Sequence, residues 1–472
     1  MSDIQFYNTR TRRKEPFVPI EPGRVGIYSC GPTVYGPQHI GNLVPYMFAD
    51  LLRRTLEDAG LEVRHVINIT DVGHLTSDAD AGEDKMEKAA AASGLRAEEI
   101  AERYTEMWLR DRRRVGCLEA HVYCKATEHI AEQIELARRI EAKGCTYCIE
   151  DGLYFDVSKF PRYAEFARLD LEGQGDGDGA RIEQVPGKRN PADFALWKFA
   201  QPGVQRQQEW DSPWGRGFPG WHLECSAMSS KYLGEHFDIH TGGVDHIPVH
   251  HSNEIAQSEC AFGCHPWVNF WMHNEFYNFQ GQKMSKSKGN IALLDDLVAR
   301  GIEPRAYRYF FLQAHYRQQV TLTDEALQSA AVGYRRLLGQ AAAVRGATGE
   351  GDRDRQAPYR ERFRAALRDD LNAPRAMAVT WEVARSSDLS EADRRDLLLH
   401  FDELLALDLA EGVPAEERAE QESDPRIDAL VAERQAARKA KDFATADRIR
   451  DELAAEGISL VDTPEGARWK RG

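Results

Sequence analysis

No stretch of this sequence supplies the ~18 consecutive apolar residues of a membrane span, and Met1-Ser2-Asp3-Ile4-Gln5 lacks the basic-then-apolar pattern of a leader. The expectation is a cytoplasmic protein with no membrane partner. Positive charge is also short. Lys and Arg number 61 against 76 Asp and Glu, a net charge of −15. That argues against nucleic-acid binding by bulk charge but leaves local basic patches open. Cysteine is scarce at eight residues: Cys30, Cys117, Cys124, Cys145, Cys148, Cys225, Cys260 and Cys264. In a cytosolic chain these should be thiols or metal ligands, not a disulfide framework. Cys145-Thr146-Tyr147-Cys148 has no second CxxC to complete a zinc ribbon. It and the Cys260, Cys264, His265 group read as structural thiols. Internal repeats are missing. The Gly/Asp run 172–179 lacks the ligand spacing of a calcium loop.

What is present suits a soluble protein with ample core: 42% hydrophobic residues and a mean hydropathy of −0.56. The length suggests roughly three domains. Residues 24–30 read as a buried strand, broken by Gly31-Pro32. Residues 43–59 follow a helical period through Leu43, Met47, Phe48, Leu51, Leu52 and Leu56, and Gly60 ends the helix. Residues 62–70 read as a second strand. Strand, helix, strand in under 50 residues implies a right-handed crossover and a parallel sheet. Residues 83–114 read as one charged helix and 127–142 as another. From 144 to 220 short strand-like pieces alternate with loops, as in an insertion. Helix 226–233, strand 236–240 and helix 250–261 then resume the α/β pattern. Residues 323–409 are nearly all helical, with a polar interruption at 344–358. A polar linker at 411–425 leads to helix 427–457 and a β-like tail at 458–470.

Two stretches suit a polyphosphate. In Gln282-Lys283-Met284-Ser285-Lys286-Ser287-Lys288-Gly289-Asn290, three ammonium groups within six residues repel one another unless an anion sits among them, and Ser and Gly expose backbone N–H groups. At the first strand-to-helix turn, Pro32-Thr33-Val34-Tyr35-Gly36-Pro37-Gln38-His39-Ile40-Gly41-Asn42 precedes a helix N-terminus with unpaired N–H groups and a positive dipole end. Gly41 lets a nucleotide approach the backbone, and His39 and Asn42 can donate to phosphate. Taken alone, the first stretch is a solvated loop and His39 a satisfied loop histidine.

Other residues suit a soft metal. Cys30 ends the first strand at the carboxyl edge of the sheet, where α/β ligands bind. Cys225 stands at the start of a helix. The i,i+4 spacing of His250 and Glu254 puts imidazole and carboxylate on one helical face. Two thiolates, an imidazole and a carboxylate would suit zinc. Each has a plainer reading, a core thiol or an exposed helix pair.

Together these motifs carry a resemblance. Lys-Met-Ser-Lys-Ser at 283–287 and His-Ile-Gly-Asn at 39–42 resemble the two nucleotide motifs of class I aminoacyl-tRNA synthetases, in the right order. Where that family's first motif often ends in His, this chain has Asn42, which keeps a donor but cannot carry charge. Cys-Gly-Pro-Thr-Val-Tyr at 30–35, Gly-Trp-His-Leu-Glu-Cys-Ser-Ala-Met at 220–228 and His-His-Ser-Asn-Glu-Ile-Ala-Gln-Ser at 250–258 resemble the cysteinyl-tRNA synthetase family. The resemblance covers nearly the whole chain. Asp369-Asp370-Leu371-Asn372-Ala373-Pro374 matches the family's helical bundle, and 437–451 and 457–466 match its anticodon domain.

The resemblance implies a fold class: an α/β, Rossmann-type parallel-sheet catalytic core with an insertion domain, then an α-helical bundle and a small C-terminal α+β anticodon-binding domain. It divides the chain into a first catalytic half at 1–125, an insertion at 126–220, a second catalytic half at 221–275 and a KMSKS-containing region at 276–322. A helical bundle at 323–410, a linker at 411–425 and the anticodon-binding domain at 426–472 follow.

The implied activity is a cysteine–tRNA ligase, in which L-cysteine and ATP give cysteinyl-adenylate and the acyl group passes to the 3′-terminal ribose of tRNA(Cys). Implied catalytic residues are His39, Asn42, Lys283 and Lys286, with Gly41 and Ser285 also at ATP and Mg2+ accompanying the triphosphate. Cys30, Cys225, His250 and Glu254 would bind one Zn2+, which prefers the substrate's thiolate to a serine hydroxyl. Gly31, Thr33, Thr70, Trp221 and Asp245 would line the cysteine pocket. From Arg426 onward ten basic and nine acidic side chains make a near-neutral tail. There Arg438, Lys439, Lys441, Trp469, Lys470 and Arg471 could meet RNA. A monomer is expected. Two alternatives stay open. A related ligase of mycothiol synthesis shares the core but lacks the 427–469 tail, and an inactive RNA-binding or regulatory paralogue would not need the intact lysines and metal ligands.

Overall fold

The computed structural model describes residues 4–73, 84–168, 185–201, 203, 206–279, 282–283, 292–410, 425–439, 442–455, 458–463 and 466–471. Its contacts divide the chain into two compact units, 1–409 and 410–472. No helix among the described residues is long and apolar enough to cross a membrane.

Unit one is built on five parallel core strands. They are β1 (Arg24–Ser29), β2 (Glu62–Ile69), β3 (Val122–Lys125), β4 (Phe237–Gly243) and β5 (Val268–Asn274), ordered β5-β4-β1-β2-β3. Ile27, Tyr28, Val66, Ile67 and Ile239 are buried, as expected of strands covered on both faces. Helix α1 (Ile40–Asp58) makes the crossover from β1 to β2. After β1 the chain winds outward to β2 and β3, whereas β4 returns on the other side of β1. This reversal of order opens a crevice at the carboxyl ends of β1 and β4, where doubly wound sheets take their ligands.

Between β3 and β4 the chain forms an antiparallel sheet of Thr146–Ile149, Gly152–Phe155, Phe194–Phe199 and Gly217–Pro219. A hairpin of Gln5–Asn8 and Arg13–Pro16 hangs on the β5 edge, with Asn8 Nδ2 donating to Asn269 O (2.8 Å) and the Thr9 N–H to Trp271 O (2.8 Å). Beyond β5, Tyr277–Phe279 pairs with both Gln282–Lys283 and Val320–Leu322. Four helices, Asp324–Val344, Arg353–Arg368, Ala373–Arg385 and Glu391–Leu405, complete the unit. One buried ion pair ties them to the core. Arg308 donates to Asp50 Oδ2 of α1 and to the carbonyls of Leu405 and Val115.

Several boundaries differ from the sequence reading. The charged helix of 83–114 is two, α2 (Lys85–Ser93) and Ala97–Arg114, because Gly94 turns left-handed at φ 68° and caps the first. Helix α3 (Trp221–Leu233) starts at Trp221 rather than 226. The expected interruption at 344–358 shrinks to 345–352, since the Asp352 side chain caps the next helix and Pro358 lies inside it. Helix α4 (Ser252–Phe262) follows a wider π-type turn, Ile247–His251, which contains His250. The cysteines also need correcting. Cys145, after the helix Ile130–Ala142, and Cys260, on α4, form a disulfide. The fold packs that helix against α4 and joins two thiols 115 residues apart, a proximity no CxxC spacing reports.

Unit two pairs helices Pro425–Lys439 and Phe443–Ala455, around Ile427, Val431, Ile449 and Leu453, with a hairpin of Ile458–Thr463 and Gly466–Arg471. Lys441 and the side chains of Arg438, Lys439, Trp469, Lys470 and Arg471 lie outside the described residues.

Candidate active site and metal centre

A cleft of about 690 Å³ opens at the carboxyl ends of β1, β2 and β4. Cys30, Gly31, Thr33, His39, Gly41, Asn42, Thr70, Trp221, Cys225, Asp245 and His250 all line it. Glu254 lies just behind. Ser285 and Lys286 lie outside the described residues, as does the side chain of Lys283. The backbone of Lys283 pairs with Asn278, in the strand whose Tyr277 lines the cleft.

The phosphate end is the start of α1. His39 is its N-cap residue, in extended conformation, and its backbone N–H donates to Asn42 Oδ1 (3.1 Å). The Asn42 oxygen is thus used in closing the first helical turn, which leaves the amide NH2 as the group that can meet an anion. This assigns separate tasks to the two ends of a neutral side chain at position 42. The loop ahead is tied by Gln38 Nε2, which donates to Thr33 O (3.1 Å) and Gly36 O (3.3 Å).

The floor of the cleft is tight. The Gly31 N–H donates to Asn68 Oδ1 (2.7 Å), and a Cβ on Gly31 would stand 1.5 Å from Asn68 O. Glycine is required there by the close approach of two strand ends. Thr70 donates its hydroxyl to Glu224 Oε2 (3.0 Å) and accepts from Asn68 Nδ2 (3.1 Å), so the hydroxyl turns inward to a fully buried carboxylate. Trp221 and Cys225 are four apart on α3 and share its cleft-facing side, a consequence of the early helix start.

At the other end, ligand atoms of Cys30, Cys225, His250 and Glu254 lie within 4.8 Å of one another, all buried. Burial pushes the Cys30 thiol well above its ordinary range, and its hydrogen bond with Cys225 and the charges of Cys225, Glu254 and Asp245 push the same way. Cys225 is raised too, since burial and Glu254 outweigh the hydrogen bond from Cys30 that opposes them. Glu254 is fully buried, and its Oε1 has no hydrogen-bond partner. It faces His250 Nε2 at 3.1 Å and His251 Nε2 at 3.8 Å. Crowded thiols beside an orphaned carboxylate oxygen are costly unless a cation gathers them. Two sulfurs, a nitrogen and an oxygen suit zinc with a position open to the cleft.

A second set, Cys30, His240, His251 and Glu254, is equally close. Neither His240 nor His251 lines the cleft, so an ion held there would not meet a substrate. They support the first set instead. His240 Nε2 lies 2.8 Å from Glu254 Oε2. His251 Nε2 lies 3.3 Å from Cys30 Sγ, His251 Nδ1 lies 2.7 Å from His273 Nε2, and His273 Nδ1 lies 2.7 Å from Thr9 Oγ1. Burial and neighbouring imidazoles hold His251 and His273 well below the usual histidine range. With both rings neutral, each imidazole donates at one nitrogen and accepts at the other, so a single line of hydrogen bonds joins Thr9, His273, His251 and the Cys30 sulfur. His222 Nδ1 lies 2.7 Å from His250 Nδ1 and steadies that ligand.

Glu224, His240, His251 and His273 escaped the sequence reading. One signal was available: eight of the fifteen histidines fall between positions 222 and 273.

The described architecture has counterparts among known proteins. Residues 16–332 match the family described as tRNA synthetases class I (C) catalytic domain, and residues 420–469 the cysteinyl-tRNA ligase anticodon binding domain. A protein of Burkholderia lata called cysteine–tRNA ligase 1 is 50% identical, over 98% of this chain and 96% of its own length. A cysteine–tRNA ligase of Treponema denticola is 42% identical over 99% of both chains. Two solved structures share the fold. Methionyl-tRNA synthetase of Mycobacterium tuberculosis, bound by methionyl-adenylate, has a TM-score of 0.53 at 16% identity, covering 81% of this chain and 90% of that one. The LeuRS of Agrobacterium radiobacter, in a ternary complex with tRNA and LeuAMS, has a TM-score of 0.59 at 12% identity, covering 83% and 84%. A catalytic family matched over two thirds of the length, and full-length relatives at up to 50% identity, place this chain in the cysteine–tRNA ligase family of class I aminoacyl-tRNA synthetases.

Proposed function

We propose that the chain activates L-cysteine with ATP and transfers the cysteinyl group to the terminal ribose of tRNA(Cys). The observation that carries this is the meeting of Cys30, Cys225, His250 and Glu254 at one end of the cleft whose other end is the N-terminus of α1. The four would hold a zinc ion, which supplies a soft acceptor for a substrate thiolate and so distinguishes sulfur from a serine hydroxyl. Asp245, a carboxylate on the cleft wall, would receive the amino acid's ammonium group. Trp221 would close the pocket over the short side chain, while Gly31 and Thr33 present backbone and Thr70 holds the floor through Glu224.

The substrate carboxylate would then point toward His39, Asn42 and the N-terminal end of α1. One of its oxygens attacks the α-phosphorus in line, the bond from that phosphorus to the bridging oxygen breaks, and pyrophosphate leaves. Little covalent work falls to the protein, so positioning and charge stabilisation carry the rate. His39 and the Asn42 amide would donate to phosphate oxygens, and Gly41 lets the nucleotide lie close. Lys283, Ser285 and Lys286 would neutralise the leaving pyrophosphate, with magnesium accompanying the triphosphate.

The match of residues 420–469 to an anticodon binding domain favours tRNA over a small-molecule acceptor such as the amino sugar of mycothiol synthesis. Cysteine-dependent exchange of labelled pyrophosphate into ATP, followed by charging of a tRNA pool, tests the reading. Exchange without charging would favour the small-molecule acceptor, and loss of both in metal-replete protein would favour an inactive paralogue.

A further inference from the structure

We propose that a second pocket of unit one binds an aliphatic polyamine, an extended chain carrying two or three ammonium groups. The proposal does not depend on the ligase reading.

The pocket holds about 350 Å³, within the size of small-ligand sites, about 300–1,000 Å³. It lies between helix Ala97–Arg114, the turn Ala126–His129 after β3, and residues 207–210. Among the described residues that line it, five carboxylates, Asp71, Glu98, Glu102, Glu128 and Glu209, stand against one basic side chain, Lys125. Arg96 meets Glu98 at 3.3 Å and Arg216 meets Glu209 at 3.2 Å, neither arginine being part of the lining. Glu102 and Glu128 have no ion-pair partner among the described residues. Negative charge is therefore in surplus. Glu98 and Glu102 are also i,i+4 neighbours on one helical face, where like charges destabilise a helix.

The base of the pocket carries two unsatisfied polar atoms. Thr105 and the side chain of Glu209 are both more than nine-tenths buried, and Thr105 Oγ1 and Glu209 Oε1 have no hydrogen-bond partner. A helical threonine can return its hydroxyl to the carbonyl one turn back. Thr55 and Thr380 do so, at 2.8 and 2.9 Å, whereas Thr105 does not. Buried groups left in this way are costly unless a ligand completes them. The walls are held without one. Gln208 accepts from the Gly73 N–H and donates to Asp71 O, each at 2.8 Å, and the Ala97 N–H donates to Gln207 Oε1 (2.9 Å). Asp71 accepts from the N–H and hydroxyl of Thr127 (2.9 and 2.6 Å), so it lends charge more than an open oxygen.

The spacing selects the kind of cation. A metal ion gathers its oxygen ligands at 2.0–2.6 Å. Among the described residues, the groups of three or more potential ligand atoms close enough for that include none of these carboxylates. Charges spread along a pocket suit ammonium groups spread along a chain. One ammonium would donate to Thr105 Oγ1 and Glu209 Oε1 at the base, and another would meet Glu98, Glu102 and Glu128, which are exposed at the rim. Trp210, which also lines the pocket, offers a ring to the charge and to the methylenes between charges.

The test titrates full-length, zinc-loaded protein with spermidine by calorimetry, without nucleotide or RNA, at about 0.15 M ionic strength. One saturable site per chain is expected. Glu98→Gln with Glu102→Gln should weaken it about 10-fold without lowering the thermal midpoint, since the exchange removes a repulsion. Thr105→Val, which replaces an unpartnered hydroxyl by a methyl group, should weaken it by about 10-fold as well. Absence of saturable heat at millimolar spermidine would overturn the proposal. So would undiminished affinity in both variants, which marks diffuse attraction to an acidic surface. Magnesium displacing spermidine at lower concentration would make this a metal site instead, and a lysine-rich peptide binding more tightly, with loss in the same variants, would make it a protein-docking site.

Discussion

Glu254→Gln separates a metal-binding carboxylate from a merely structural one. Glu254 is fully buried, with one oxygen 2.8 Å from His240 Nε2 and the other without a hydrogen bond. Without metal that second oxygen is an unsatisfied buried charge, which costs about 1–3 kcal/mol. Glutamine keeps the shape. Its oxygen still accepts from His240, and its NH2 group faces the ring nitrogens of His250 and His251. The chelated variant should therefore be more stable than chelated wild type by about 1–3 kcal/mol. With metal the order of benefit reverses. A neutral amide is a poor ligand, and a loss of about 10–100-fold in affinity removes about 1.4–2.8 kcal/mol of the stabilisation zinc provides at saturation. Urea unfolding followed by tryptophan fluorescence, in EDTA and in excess zinc, reads both quantities. Trp271 stacks on His240 with ring centres 4.5 Å apart and reports the region directly. A variant destabilised in EDTA, with an unchanged zinc increment, would refute the reasoning, since Glu254 would then be an ordinary core acceptor.

Further outcomes follow from other parts of the site and core. Cys225→Ser should raise KM for cysteine in pyrophosphate exchange by at least about 10-fold while KM for ATP stays put; equal losses in both would argue against a sulfur-selecting metal. Asn42→Asp keeps the oxygen that accepts from His39 N–H but sets a negative charge beside the triphosphate. Exchange should fall by about 10²-fold with the unfolding midpoint unchanged, and a large loss of stability would show that the cap, not the charge, matters. Arg308→Met strips the main partner from buried Asp50 and should cost about 3–5 kcal/mol at neutral pH. Burial works to raise the Asp50 pKa, but Arg308, Arg54 and the Leu118 N–H outweigh it and hold the carboxyl below its ordinary value. Such a group adds stability above the unfolded value of about 3.9 and loses it as pH falls through the lower folded value. The gap between variant and wild type should therefore narrow below about pH 4, as read from urea midpoints at neutral and acid pH.

The alternation of strand and helix around residues 24–70 was readable because it is local. Hydrophobic period, the Gly31-Pro32 break and the stop at Gly60 act over a few residues, and β1, α1 and β2 follow them. The types of chemistry were readable for a similar reason, since phosphate calls for Lys, Gly and a helix start, and zinc for Cys, His and Glu. Boundaries slipped where a single torsion decides, as at Gly94, or where a cap outweighs a proline, as at Asp352 and Pro358.

By itself the sequence determined which residues could bind and in what order they come along the chain. Only tertiary structure decided which of them meet. Cys30 and Cys225 approach because α3, which carries Cys225, packs across β1 and β2, at whose carboxyl edge Cys30 stands. Glu254 is held by His240 from an adjacent strand, Cys30 is backed by a chain of imidazoles ending at Thr9, and Cys145 finds Cys260 across two packed helices. Contacts of this kind span from 14 to 264 residues of sequence. Local periodicity has no term for such separations, because burial rewards any apolar partner alike and only the closed sheet selects among them.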